Sequence, residues 1–445
     1  MSGSHKMPMT RRRVLAGMVS AGAMVGFPCI IPSTVLGKQA PSNRITVGMI
    51  GTGRQGINVN LKTLVNMPEV QVVAVCDPDT WRMDKAMEVI HKKYGNEDCS
   101  RHTDFREIVA REDIDAVMVS TPDHWHVPIA LAAIRTGKHV CCEKPLTLSI
   151  AEGRALADAA KAQGIVFRTD SECRSHAYMR KTAELVRNGY LGRVKRIEVG
   201  VPRGDKPGGE PTPMPVPDEL NYDMWLGPAP RKKYTVDRVH PPKSLSRPGW
   251  MRCRDTCEGM ITNWGAHLLD VAQQLNDTER TGPVSVEATG RYPKPDSGLW
   301  NVLIDFKAHY TYANGVVLDF MMKVPYIRVE GDDGWIEAHW HSRGGLTAHD
   351  KRIFRTEFKA SDLRLPKRTD KGDFVYCIKN DAPEESMADA EVGHRTTSVA
   401  QLAHIAIQTD KKLAWDPDNE TFDDPQANGL LTRPYRKPWG LNINV

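Results

Sequence analysis

At 445 residues, with 40% hydrophobic and 26% charged residues, the chain has the composition of a soluble folded protein too long for one core, so at least two domains are expected. Much of its formal charge of +5 comes from Lys6, Arg11, Arg12 and Arg13, within a stretch, 1–37, that contains no acid; the remainder is close to neutral and gives no electrostatic reason to bind nucleic acid. The nine cysteines follow no paired Cys-x-x-Cys spacing, and no metal is expected.

The chain opens on Thr10-Arg11-Arg12-Arg13-Val14-Leu15, a moderately apolar run over 16–31, and small residues up to Gly37. Paired arginines before a weakly hydrophobic core resemble a twin-arginine export signal over 1–37, which predicts a periplasmic or other extracytoplasmic location. Gly17, Gly22, Gly26 and Pro28 work against a stable spanning helix, so no membrane span is expected once the signal is removed. Strand-like and helix-like patterns then alternate: strands over 45–50, 70–76, 116–120, 139–142 and 165–169, with helices over 55–67, 81–94, 105–110, 127–136 and 150–163. This rhythm implies an α/β domain over 43–169 with a parallel, doubly wound sheet.

Past residue 170 the rhythm changes. A helix over 177–188 leads into a strand over 194–201, and 202–249 then holds eleven of the thirty prolines, which predicts long loops. A helix is expected over 259–275, followed by β segments over 284–292, 302–312, 316–324 and 327–337. The middle pair is joined by Ala313-Asn314-Gly315, a hairpin signal. A last helix is expected over 398–408. Residues 170–445 therefore read as an α+β domain around a large, mainly antiparallel sheet. Cys253 and Cys257 are four apart, a spacing that leaves a disulfide open.

The chemistry concentrates at strand ends. Gly51-Thr52-Gly53-Arg54-Gln55-Gly56 follows a strand and opens a helix, the arrangement in which glycines let the backbone approach a pyrophosphate at a helix N-terminus. Asp77 ends the next strand, where a carboxylate accepts hydrogen bonds from ribose hydroxyls and repels a 2′-phosphate. NAD is the expected cofactor, and Arg82 keeps NADP in view. Ser120-Thr121-Pro122-Asp123-His124-Trp125-His126 and Glu143-Lys144-Pro145 stand at two further strand ends.

Taken together, these segments make the chain resemble the Gfo/Idh/MocA (glucose–fructose oxidoreductase / inositol dehydrogenase) family, of the exported type. The resemblance runs from about residue 44 to the C-terminus and implies an N-terminal Rossmann domain. It implies that Lys144 is the catalytic lysine, that Ser120, Thr121, Pro122 and His126 line the cofactor, and that Glu143 sits by the nicotinamide ribose. Arg174 falls where the family often has an arginine near the cofactor and the domain seam. Family members usually carry Asp-x-Gly-x-His on a helix; here the segment is Asn263-Trp264-Gly265-Ala266-His267, followed by Asp270. His267 is the implied general base, and Asn263, four residues away, replaces the aspartate without its charge.

What the resemblance implies is hydride transfer between a secondary alcohol of a sugar or polyol and a tightly bound nicotinamide, by a homo-oligomer that needs no nucleic acid. Outside the cytoplasm there is no free NAD pool, which favours a resident cofactor. It also brings forward an NAD-dependent glycoside hydrolase that oxidises, eliminates, hydrates and reduces within one turnover. A non-catalytic binding protein on the same scaffold is the third reading, and a metal site formed by His124, His126 and His267 is a further alternative.

Overall fold

A computed structural model describes residues 43–340 and 345–442; the leader over 1–37, with its arginines and Cys29, lies outside the described residues. Residues 45–445 form one compact unit. In chain order its first sheet comprises β1 (Ile45–Ile50), β2 (Val70–Cys76), β3 (Ser100–His102), β4 (Ala116–Val119), β5 (His139–Cys142) and β6 (Phe167–Thr169). All pairs are parallel and the order is β3-β2-β1-β4-β5-β6. The strand order reverses at the β1/β4 boundary, where the C-terminal strand ends leave a crevice for ligands. Helices cover both faces, so β4 reads Ala-Val-Met-Val without polar alternation and is buried throughout.

Local chemistry fixes the helices between these strands. Asp79 caps Thr80–Tyr94 by accepting the Arg82 N–H at 3.2 Å, and Gly95 ends that helix at φ +70°. The helix expected over 55–67 is wider than anticipated, a π-turn over Gly56–Leu61 followed by Lys62–Leu64.

The second sheet contains β7 (Val194–Pro202), β8 (Ser285–Arg291), β9 (Asp305–Thr311), β10 (Val317–Lys323), β11 (Tyr326–Gly331), β12 (Gly334–His339), β13 (Leu346–Ala348), β14 (Leu413–Asp416) and β15 (Thr421–Phe422). Its order is β13-β12-β11-β7-β10-β9-β8-β14-β15, antiparallel except where β7 meets β10. The single strand expected over 327–337 is two strands, because Gly331-Asp332-Asp333-Gly334 turns the chain into a hairpin. The final helix is longer than expected, Ala390–Thr409, and is buried along most of its length. It packs on both Ile150–Gln163 and Gly265–Leu275. A helix the sequence pattern did not reveal, Asp370–Asn380, covers the outer side of β5 and β6. There Arg168 and Asp373 form a fully buried ion pair at 3.0 Å, and Lys371 reaches Asp170.

The proline-rich stretch also departs from expectation. It contains a short helix, Tyr222–Leu226, and a small apolar cluster of its own built from Leu220, Trp225, Leu226, Tyr234 and Val239. Thr80 N–H donates to the Glu219 carbonyl at 2.9 Å and Asn221 N–H to that of Pro78 at 2.8 Å, fastening this stretch across the end of β2. The described cysteines are free and buried, Cys253 and Cys257 among them. Among the described residues no helix is long and apolar enough to cross a membrane.

Candidate active site

A cavity of about 640 Å³ opens at the C-terminal ends of the parallel strands, a volume suited to a cofactor-sized ligand. Its floor is the glycine turn. A Cβ on Gly51, which has φ +91°, would lie 2.5 Å from the Ser120 carbonyl oxygen, and one on Gly56 would lie 2.4 Å from that of Gly51. Both glycines are therefore required by backbone packing. Gly53 differs: a Cβ there meets nothing nearer than Arg82 Nη1 at 3.9 Å, so its bare backbone faces the cavity together with Arg54 and Gln55. This open cradle fits a dinucleotide pyrophosphate.

Thr52 and Gly56 do not line the cavity. The Thr52 N–H and hydroxyl donate to one Asp77 oxygen at 2.7 and 3.1 Å, and the Asp79 N–H donates to the other at 2.9 Å. Asp77 thus pins the turn while facing the cavity. Burial raises its pKa, although Arg82 and these N–H donors oppose the rise. Arg82 is buried beside it, with Nη2 donating to the Ser244 carbonyl at 2.7 Å and Nε 3.4 Å from Asp79. From the proline-rich stretch, His240 bonds Asp79 at 2.8 Å. Burial lowers the pKa of His240; burial raises that of Asp79, but His240 and Arg82 more than offset this and hold it low. Sequence reasoning missed His240, since no spacing links it to Asp79.

Towards the other end, Asn60 ties two strand-end loops together by donating to Ser120 Oγ at 2.7 Å and to Glu143 Oε1 at 2.8 Å. Ser120, Thr121, Pro122, Glu143 and Lys144 all line the cavity, as does His126. His126 is chiefly a brace, with its ring nitrogens 2.8 Å from the Pro145 carbonyl and 3.0 Å from that of Thr121. His124 turns away to the Trp225 carbonyl at 3.1 Å, and burial pushes its pKa down to about 4. His124, His126 and His267 therefore do not converge, and among the described residues no group of three or more His, Cys, Asp or Glu is placed to hold a metal.

Asp123, quoted above only as part of its segment, is buried in the cavity wall, and its carboxyl is pushed up to about 7 by burial against the opposing influence of Cys257 and Lys144. Arg174 does not line the cavity: its guanidinium grips Asp270 at 2.7 and 2.6 Å and also reaches Glu279, so it ties the seam. Its charge is consumed by carboxylates that local spacing could not foretell.

Lys144 donates to the Asn263 backbone carbonyl at 3.2 Å, which joins the two catalytic candidates' loops. The expected helix over 259–275 is broken there into Met260–Asn263 and Gly265–Leu275, with Trp264 between them. Asn263 and His267 both line the cavity, yet they sit on separate helices and the structure gives no hydrogen bond between them. The His267 ring lies 4.8 Å from Trp340 and 5.9 Å from Trp264, centroid to centroid. Its Nδ1 is buried with no partner, and burial, then Lys144 and His176, hold its pKa well below the ordinary value. A neutral imidazole beside an ammonium can accept a proton from a hydroxyl that the ammonium polarises.

Residues 45–171 match the model of the oxidoreductase family's NAD-binding Rossmann fold, and residues 207–441 match that of the family's C-terminal alpha/beta domain. The chain belongs to the Gfo/Idh/MocA oxidoreductase family. Its first domain is NAD-binding, as the cradle at Gly53 and the carboxylate of Asp77 require. Within the Gfo/Idh/MocA fold it resembles an aldose–aldose oxidoreductase from Caulobacter crescentus solved with glycerol, at TM-score 0.61 and 19% identity over 83% of this chain and 99% of that one. A levoglucosan dehydrogenase solved with NADH and levoglucosan gives TM-score 0.59 at 18% identity, again over 83% of this chain and 99% of the other. At such identities the likeness is one of fold. An α-N-acetylgalactosaminidase of Shewanella oneidensis is 33% identical over 148 residues, 32% of this chain. The match spans only 30% of that relative's length.

Proposed function

We propose that the protein is an exported oxidoreductase that moves a hydride between a secondary alcohol carbon of a sugar or polyol and a resident NAD. The observation that carries this reading is the placement of Lys144 and His267 on one cavity that runs continuously to the Gly51–Gly56 turn. Bound NAD supplies the hydride acceptor. Gly53, Arg54 and Gln55 would hold its pyrophosphate, and Asp77 its adenosine ribose.

The side chains perform the remaining work. The Lys144 ammonium, steadied by the Asn263 carbonyl, polarises the substrate oxygen and stabilises charge as the hydroxyl loses its proton. His267, kept neutral by burial, accepts that proton. Glu143, oriented by Asn60, and Asp123 complete the polar wall. Residence of the cofactor is supported by the stretch over 219–244, which crosses the adenosine end and locks there through His240–Asp79 and Ser244–Arg82.

A second reading is favoured by the α-N-acetylgalactosaminidase match: a glycoside hydrolase that oxidises its sugar, eliminates the aglycone, adds water and reduces again. One experiment separates the two. The purified protein is checked by absorbance for bound nucleotide, then given polyols, sugars and aryl glycosides. Net NADH formation supports the dehydrogenase; sugar release without net NADH, with solvent deuterium entering beside the oxidised carbon, supports the hydrolase. An enzyme that does neither, and carries no nucleotide, overturns both.

A further inference from the structure

A general base needs its ring held in one orientation, and the cation it becomes needs stabilising. A carboxylate on the far ring nitrogen does both in many enzymes. His267 has none: its Nδ1 is buried and makes no hydrogen bond. Among the described residues, the charged and titratable groups that face it are Lys144, from the loop after β5, and His176, at the start of the helix Ala177–Arg187; both oppose a positive charge on the ring. Glu172 lines the same cavity from the segment after β6, and Tyr178 stands over His176 in a stacked pair at 5.5 Å.

What does touch the ring is indole. Trp340, the residue after β12, lies 4.8 Å from it with the planes inclined at 47°, and Trp264 lies 5.9 Å from it with the planes at 70°. The two indoles pack on each other at 5.2 Å, and Trp340 also contacts His176 at 5.3 Å. The Trp340 backbone, one residue past β12, is anchored by donating to the Pro325 carbonyl at 3.1 Å. The π-face of an indole attracts a cation, and more strongly where water is excluded.

We propose that Trp340, supported by Trp264, is a positioning residue that substitutes for a carboxylate: it clamps the His267 imidazole and stabilises the imidazolium formed when His267 takes up the substrate proton. The kinetic half of this rests on His267 being the base in the proposed reaction; the physical coupling of the two rings does not.

The test uses the full-length protein with 13C-labelled histidine, with the His267 resonance assigned by its loss in His267→Gln. Trp340→Phe keeps an aromatic face and Trp340→Leu keeps only apolar bulk; thermal unfolding identifies any variant that has lost its fold. The His267 titration midpoint is expected to stay near the parent value in Trp340→Phe and to fall by about one pH unit, a tenfold weaker base, in Trp340→Leu. Correspondingly, kcat falls roughly tenfold in Trp340→Leu, with the acid limb of kcat/KM moving to lower pH. A midpoint that rises in Trp340→Leu, or that is the same in the two variants, overturns the proposal. If neither Trp340 variant folds, Trp264→Phe and Trp264→Leu give the same comparison at smaller amplitude, and equal midpoints there overturn it. Normal turnover in His267→Gln, with the Trp340-dependent midpoint intact, removes the base assignment and leaves the ring coupling standing.

Discussion

The two ends of the cavity are built from opposite materials. At the adenosine end the charges are matched by partners already in place: Asp77 accepts from Thr52 and Asp79, Asp79 pairs with His240, and Arg82 donates to Ser244. At the reacting end, among the described residues, Lys144 leans on a single backbone carbonyl, and His267 has indoles and like charge around it. Satisfied polar groups make a rigid grip, whereas an under-satisfied ammonium and imidazole stay available to a substrate. On the proposed function, one end is made to hold and the other to react.

The sharpest way to break this contrast is Lys144→Ala. Turnover should drop roughly 10³-fold while the nucleotide remains bound, since the lysine touches none of the adenosine-end contacts. Steady-state rates and the absorbance of co-purified nucleotide check both halves; equal loss of both would merge the two ends into one.

Acid should act with opposite sign on the buried histidines and on the buried carboxyl of Asp123. Burial lowers the pKa of His240, His267, His126 and His124, so the unfolded chain binds their protons first as the pH falls below about 6.5. The histidine contribution to stability is therefore lost on going down in pH, progressively through the window from about 6.5 to the folded-state values, whereas Asp123, pushed up to about 7, takes its proton first in the folded chain and adds stability over the same window. His124, pushed down to about 4, alone accounts for ~3 kcal/mol over that window. Chemical-denaturation midpoints separate the two: between neutral and mildly acid pH those of His124→Gln should rise relative to the parent, and those of Asp123→Asn should fall relative to it.

A smaller effect separates holding from reacting. His240→Ala should speed cofactor release about tenfold, the worth of one hydrogen bond to a charged group, and leave single-turnover chemistry unchanged. Stopped-flow displacement of bound nucleotide measures the first and a single-turnover burst the second. The smallest change is expected from Asn60→Ala, which frees Glu143 and Ser120 and should lower kcat only severalfold.

Legibility followed locality. Most of the parallel sheet could be read because β1, β2, β4 and β5 are largely apolar runs beside their own turns, and the Gly51–Gly56 motif, Asp77 and Lys144 follow strand ends; the short polar β3, Ser-Arg-His, went unread. The hairpin at Asp332 and Asp333 was readable from its flanking glycines, but the Val and Ile residues around them suggested one long strand. Trp340, His240 and the break at Trp264 were not readable, because their meaning lies in partners some 70 to 160 positions away, as in the pairs Trp340–His267 and His240–Asp79. The Arg174 pairing was not readable for the same reason: its partner Asp270 is 96 residues distant.

Asp77 carries a consequence for anyone redesigning this site. The carboxylate that would read a ribose is also the acceptor that keeps Thr52, and with it the glycine loop, in shape. Recognition and architecture share one carboxylate. An attempt to retarget the enzyme to a phosphorylated nucleotide by exchanging Asp77 for a neutral or basic residue would slacken the loop as it altered the preference. A retargeted variant needs a new acceptor for the Thr52 amide before it needs a new cation.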